Sequence, residues 1–545
     1  MSKLSDRFAQ LLKRDGGETD KLNSMKAIRL VVAAVILALA LVIEMPTVLQ
    51  YVLFALSLIA AGYDLALGAV NSVEERDFFA ASLILSAAAA VSYALGFPGE
   101  AAALVLVYQV GQIVIAFVDE RSRRAALALL DEADPDVAAR IRERLENGDT
   151  CDMKLAATMK QSAALVLKCA MAFAVLYVIV LLFLGNYTLR VSIHRALMIL
   201  VLCTPASVVA AMPLTALFGL CFSAQNGAEF NTAAAMEELA QANAFVFDKA
   251  GVFAREEPRV LAVQSDLIDN RTLMNFAAHA VYYSEQPFAQ AISAACGTDY
   301  MLEVISDFHE IPGSGVEVKI SDKPVLLATA SVMAERGVRI PQDQPAMGQT
   351  LYLAVAGRYV GKIVLSESFN AEAQELANEI MESGVRRCVL LTEDAGKEGQ
   401  RFGEALGFDE IHSECDTEKK LGFLSELKAE GKRSAYIYAN GFEAHSDAAI
   451  DIRVGRKSRF ADALIQPEQL SRLPFALKIC RRMLTVATEN AVFAFTVKAV
   501  LVFLSMIGYG TLWFVAFVDL AASVATQLHA GRVTQESLLS RLKNR

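Results

Sequence analysis

The 545-residue chain has no Cys-x-x-Cys pair, a single Trp, only six His and no excess of basic residues. Its eight cysteines (Cys151, Cys169, Cys203, Cys221, Cys296, Cys388, Cys415, Cys480) follow no framework spacing. Neither zinc modules nor disulfide staples are therefore expected, and a reducing compartment suits the thiols. A formal net charge of -10 argues against nucleic acid as a partner, because phosphate binding calls for basic excess. The first 26 residues are charged and polar, with no apolar core leading to a small-residue cleavage site, so no removable signal is expected. The histidines are dispersed and none is assigned a role.

What the chain does have is apolar surface: 54% hydrophobic residues and a mean hydropathy of +0.38 make a membrane protein the default. Eight runs are long enough to cross a bilayer as helices, at roughly Ala27–Met45, Thr47–Val70, Asp77–Gly96, Ala101–Val118, Ala163–Gly185, Ile193–Phe222, Ala487–Ile507 and Thr511–His529. An even count puts both termini on one side. Lys3, Arg7, Lys13, Arg14, Lys21, Lys26 and Arg29 crowd the first run, which makes that side cytoplasmic. The expectation is a multi-pass protein of the cell membrane with both ends inside. The stretch Asp119–Lys160, dense in Arg, Glu, Asp and Ala, holds two helices and little else.

Between the sixth and seventh runs, β-rich segments alternate with helical ones, the pattern of a parallel sheet. Phe245-Val246-Phe247-Asp248-Lys249 reads as a buried strand delivering Asp248 to its carboxyl end, where open α/β sheets bind ligands. Asp248 there is either a covalent nucleophile toward phosphate or half of a surface ion pair on a turn. Residues Pro258–Lys362, with Gly313-Ser314-Gly315, interrupt the pattern as an inserted second domain.

Together these features resemble the heavy-metal P-type ATPases of the zinc/cadmium/lead class. The resemblance implies eight membrane helices, a cytoplasmic α/β haloacid-dehalogenase-like phosphorylation domain (225–258 and 363–480) and an inserted α+β nucleotide-binding domain (259–362). A tail at 1–26, helices at 27–118, 163–224 and 481–530, a short helical remnant at 119–162 in place of the actuator domain, and a tail at 531–545 complete the layout. Against the family's D-K-T-G-T stands Asp248-Lys249-Ala250-Gly251-Val252; against its T-G-D, Thr392-Glu393-Asp394. Against G-D-G-x-N-D stands Tyr438-Ala439-Asn440-Gly441-Phe442-Glu443, with Ala439 at the position of a magnesium carboxylate. Lys420 matches the downstream phosphate-contacting lysine. The catalytic set implied is thus Asp248, Lys249, Thr392, Asp394 and Lys420. Ser284-Glu285-Gln286-Pro287 matches S-E-H-P, which with Gly313 and Gly315 marks a weakened nucleotide site at Glu285 and Gln286. The family's T-G-E occurs nowhere in the chain.

In the membrane, the family's C-P-C falls on Thr204-Pro205-Ala206, with Cys203 one residue early as a weak metal candidate. Lys498 and Asp519 match the lysine and aspartate of the ion site, and a tight hairpin at Gly508–Gly510 puts them at equal depth, as an ion pair or as ion ligands. Two functions follow. The favoured one is a membrane pseudo-ATPase that regulates or scaffolds an active pump or another membrane protein, with weakened ATP and Mg²⁺ sites and doubtful use of Zn²⁺ or Cd²⁺. The alternative is a divergent ATP-driven zinc/cadmium-type exporter.

Overall fold

The computed structural model describes residues 19–77, 79–146, 153–185, 187–204, 210–253, 259–265, 267–296, 304–311, 314–341, 349–366, 376–394, 396–439, 446–455 and 458–535. The chain divides into two compact units, Met1–Gln241 with Phe475–Arg545, and Ala242–Pro474.

The first unit is helical: α1 (Thr19–Val42), α2 (Thr47–Glu74), α3 (Ala81–Ala94), α4 (Pro98–Ala128), α5 (Pro135–Glu146), α6 (Lys154–Phe183), α7 (Leu189–Leu202), α8 (Met212–Gln225), α9 (Ala233–Gln241), α10 (Leu473–Ile507) and α11 (Leu512–Ala530). Large apolar side chains such as Val31, Val35, Leu56, Val175, Phe183 and Phe503 point outward, and so broad an apolar surface suits lipid rather than water. Among the described residues six helices, not eight, are long and apolar enough to span a membrane. The two differences have local causes. In the third run, the polar Arg76-Asp77 and the left-handed Gly96 before Phe97-Pro98 confine α3 to 14 residues. The sixth run divides into α7 and α8 on either side of residues 205–209, which include Pro205 and Ala206 and lie outside the described residues.

The stretch after α4 tightens into a 3-10 turn at Leu129–Glu132 and continues as α5. It is tied to the segment following α8. Arg140 grips Glu229 through Nε and a 2.6 Å bond from Nη2, Arg144 reaches the same carboxylate at 2.8 Å, and Glu229 is only 3% exposed. The N–H of Leu155 donates to the Glu237 carboxylate on α9 at 3.1 Å, and Lys154 pairs with Glu238.

The second unit has two sheets. Strands β1 (Ala244–Asp248), β8 (Arg387–Leu391), β9 (Glu410–His412), β10 (Ser434–Tyr438), β11 (Ile450–Val454) and β12 (Ala463–Ile465) are parallel and run side by side as β12-β11-β10-β1-β8-β9. Their apolar runs suit a sheet covered on both faces, and Val246, Val389, Leu391 and Tyr436 pack on Leu424 and Leu427 of the helix Thr417–Ala429. Within the excursion between β1 and β8, β2 (Arg259–Gln264), β3 (Ile305–Ile311), β4 (Gly315–Ile320), β5 (Lys323–Ala328), β6 (Gln349–Val355) and β7 (Arg358–Ser366) form an antiparallel sheet ordered β2-β7-β6-β5-β4-β3. Helices Asn270–Ala280, capped by Asp269, and Pro287–Cys296 cover it through Leu273, Ala277, Phe288 and Ile292.

Candidate functional site

The central strand β1 lies between β8 and β10, so its carboxyl end opens between the loop that starts at Thr392 and the one that starts at Ala439. Asp248 ends β1 there, 3% exposed, and the turn continues through Gly251, whose φ of +74° is the left-handed conformation that glycine adopts without strain. Lys420, near the start of its helix, approaches Asp248 with Nζ 3.1 Å from Oδ1 and 3.0 Å from Oδ2. The same ammonium lies 3.0 Å from Glu393 Oε1. The Tyr436 hydroxyl lies 3.4 Å from Asp248 Oδ2, and the Ala250 N–H donates to Oδ1 at 3.2 Å. Beside this cluster, Lys249 Nζ donates to Asp394 Oδ2 at 2.6 Å, and the Thr392 hydroxyl donates to the same oxygen at 2.7 Å. The five expected residues thus meet at one strand end.

The electrostatics follow from burial. Desolvation lifts the Asp248 carboxyl above the usual carboxylate range, opposed only in part by the charge and hydrogen bonds of Lys420, while Glu393 adds to the rise. Burial draws Lys420 down, yet Asp248 and Glu393 more than compensate and hold it above its ordinary value. Tyr436, stacked on Tyr438 with ring centroids 5.1 Å apart, fills the space next to the carboxylate. A magnesium ion would need anionic oxygens here. Ala439 supplies no side-chain oxygen, the carboxylates of Asp248, Glu393 and Asp394 each meet a lysine, and among the described residues no group of three or more His, Cys, Asp or Glu could hold a metal. The described residues do not fit the ion; Glu443, Asn440, Gly441 and Phe442 lie outside them.

In the antiparallel domain, Gln286 Nε2 donates to Ile311 O at 3.3 Å, which brings its turn onto the β3–β4 hairpin where Ile311 faces Gly315. Glu285 is exposed beside it, and Gly313 lies outside the described residues. In the first unit, Lys498 Nζ lies 2.8 Å from Asp519 Oδ1 and donates to Leu202 O at 2.7 Å and Thr204 O at 3.0 Å, the carbonyls at the broken end of α7. Cys203, between those two residues in sequence, packs its side chain with Tyr177, Leu181, Ile199, Val502 and Met506.

Four residues take part without a clear signal in the sequence. Glu393 stands where T-G-D has glycine, and nothing in a sequence says that it would reach Lys420. Tyr436 could have been found from alternation, since strand residues two apart share a face and Tyr438 marks the same side. The backbone carbonyls of Leu202 and Thr204 had no signal at all beyond Pro205, which foretells a broken helix.

A unit of apolar helices together with a haloacid-dehalogenase-like parallel-sheet unit that holds an inserted antiparallel domain is the class of protein that these observations define. The haloacid dehalogenase-like hydrolase family matches residues 242–437. The chain is 25% identical over 364 residues to the cadmium, zinc and cobalt-transporting ATPase of Bacillus subtilis (strain 168), covering 65% of this chain and 51% of the relative. It is 25% identical over 354 residues to the zinc-transporting ATPase of Synechocystis sp. (strain ATCC 27184 / PCC 6803 / Kazusa), 63% of this chain and 49% of that one. The chain therefore spans about half the length of the curated relatives it matches. The crystal structure of a zinc-transporting PIB-type ATPase in an E2.Pi state superposes with a TM-score of 0.62 at 19% identity, covering 94% of this chain and 100% of that one. In sequence the chain is similar to heavy-metal P-type ATPases, and it shares the fold of one of them.

Proposed function

We propose that the protein is a divergent ATP-driven exporter of the zinc/cadmium class, with Asp248 as the phosphoryl acceptor. The observation that carries this reading is the Asp248–Lys420 and Lys249–Asp394 double pair at the carboxyl end of β1. In the reaction, an Asp248 carboxylate oxygen attacks the γ-phosphorus of ATP. An O–P bond forms to Asp248, the bond to the β–γ bridging oxygen breaks, and ADP leaves with that electron pair. Lys420 neutralises charge on the transferred group, and Lys249, fixed by Asp394 and Thr392, holds the turn that aims Asp248. Glu285, Gln286 and the glycine hairpin would take the nucleotide base, and Lys498 with Asp519 the transported cation, with Cys203 at most a secondary ligand. The relatives whose names specify cadmium, zinc or cobalt transport support the choice of cargo.

A second reading, a membrane pseudo-ATPase that binds nucleotide or a partner without turnover, is favoured by one observation: Ala439 offers no carboxylate where the cluster needs one. Incubation of purified protein with [γ-³²P]ATP and Zn²⁺, followed by acid quench, separates the two. The exporter reading expects acid-stable, hydroxylamine-labile label that disappears in Asp248→Asn. Label absent from wild type, or unchanged in Asp248→Asn, refutes it in favour of the second.

A further inference from the structure

Three carboxylates, Asp248, Glu393 and Asp394, converge on two ammonium groups, Lys249 and Lys420. Lys249 is engaged by Asp394. Lys420 carries three N–H donors, and its three short contacts go to both oxygens of Asp248 and to Glu393 Oε1. The two partners differ in burial. The Asp248 and Lys420 side chains are 5% and 4% exposed, whereas that of Glu393 is 64% exposed, so a long solvated side chain reaches inward to an ammonium at the base of the cleft. That ordering costs side-chain entropy, which the charge-assisted bond to Lys420 offsets.

The position of that carboxylate is what matters. A phosphoryl group attached to either Asp248 oxygen carries its peripheral oxygens within reach of the ammonium that those oxygens already touch. Glu393 Oε1, 3.0 Å from Lys420, stands on that ammonium first. We propose that Glu393 is a built-in competitor for the phosphoryl position: its carboxylate latches Lys420, and anions of the tetrahedral phosphoryl class bind only by displacing it. Because its stem is exposed, Glu393 can swing aside without unpacking the core. Lys420 then meets the incoming oxygen, and Asp394 keeps Lys249 in place throughout. The inference deepens the reading of Asp248 as phosphoryl acceptor and rests on it.

The test is a titration of the full-length protein with inorganic phosphate, followed by ³¹P NMR at neutral pH. Glu393→Gln keeps the shape and removes the charge, Glu393→Gly removes the side chain, and Glu393→Asp keeps the charge but shortens the reach. The Glu393 side chain is mostly exposed, so all three variants are expected to fold. An exposed ion pair contributes up to ~1 kcal/mol, so the Gln and Gly variants should bind phosphate about fivefold tighter than wild type, with Asp between. Equal affinities in all four proteins would overturn the proposal, as would no detectable binding in any of them. Labelling by ATP is measured on the same samples. Tighter phosphate binding without label in any variant would sustain the latch and remove the acceptor reading. Wild type labelled as fast as Glu393→Gln would do the reverse.

Discussion

Lys498 has three partners rather than one, and that changes what its removal should do. A simple buried ion pair can often be replaced jointly by apolar residues without loss. Here the ammonium, 10% exposed on its side chain, also satisfies Leu202 O and Thr204 O, carbonyls left over where α7 ends. Lys498→Met strands those two acceptors and leaves Asp519 without its ammonium, a loss on the order of 3–5 kcal/mol. Asp519→Asn keeps both carbonyl bonds and an acceptor oxygen, so about 1–2 kcal/mol is expected. The double change Lys498→Met with Asp519→Leu removes both charges but not the carbonyls. At ~1–3 kcal/mol per unsatisfied buried acceptor it should remain at least about 2 kcal/mol below wild type. Reversible SDS unfolding in mixed micelles, read by Trp513 fluorescence, measures all four. A double variant as stable as wild type would refute the reasoning, because the carbonyls would then have cost nothing.

Glu229→Ala removes the acceptor that Arg140 and Arg144 share, and should cost roughly 2 kcal/mol and make the 129–146 segment sensitive to limited proteolysis; unchanged cleavage would count against it. At Gly315 the backbone has φ +152° and an added Cβ would lie 2.3 Å from Leu327 O and 2.6 Å from the Ala328 Cα, so Gly315→Ala should lower the melting temperature by the equivalent of about 2 kcal/mol or more. The hydrogen bonds from Arg387 hold the Glu410 carboxyl below the usual range. With the folded value beneath the unfolded one, this contribution is present above pH ~4.3 and is lost as pH falls through the folded value. Glu410→Gln should therefore flatten the acid limb of a denaturation-against-pH curve and leave its neutral part nearly unchanged in slope.

How legible the molecule was depended on what held each part together. Phe245-Val246-Phe247 announced a strand buried on both faces because a parallel sheet demands continuous apolar residues. The ion pair of Lys498 with Asp519 followed from equal spacing on a hairpin whose turn is set by Gly508 and Gly510, both at positive φ. Span length was less legible. Hydropathy sees composition, not hydrogen bonding, so Asp77–Gly96 read as a crossing although its helix is only 14 residues. The cluster at the carboxyl end of β1 was readable at Asp248 and Lys249, whose positions the buried strand fixes. It was unreadable at Glu393, since the direction a long side chain takes depends on a partner 27 residues away in sequence.

The grip of Arg140 and Arg144 on Glu229 has a mechanical meaning. One carboxylate carries both arginines, a second one, Glu237, holds the Leu155 amide at the head of α6, and Lys154 adds a third tie to Glu238. Helix α5 and the head of α6 are therefore each splinted to residues 229–238, at points next to one another in sequence. A pull on α5 or on the head of α6 would therefore be passed to the short segment 229–238, so a load on one of them reaches the anchor of the other.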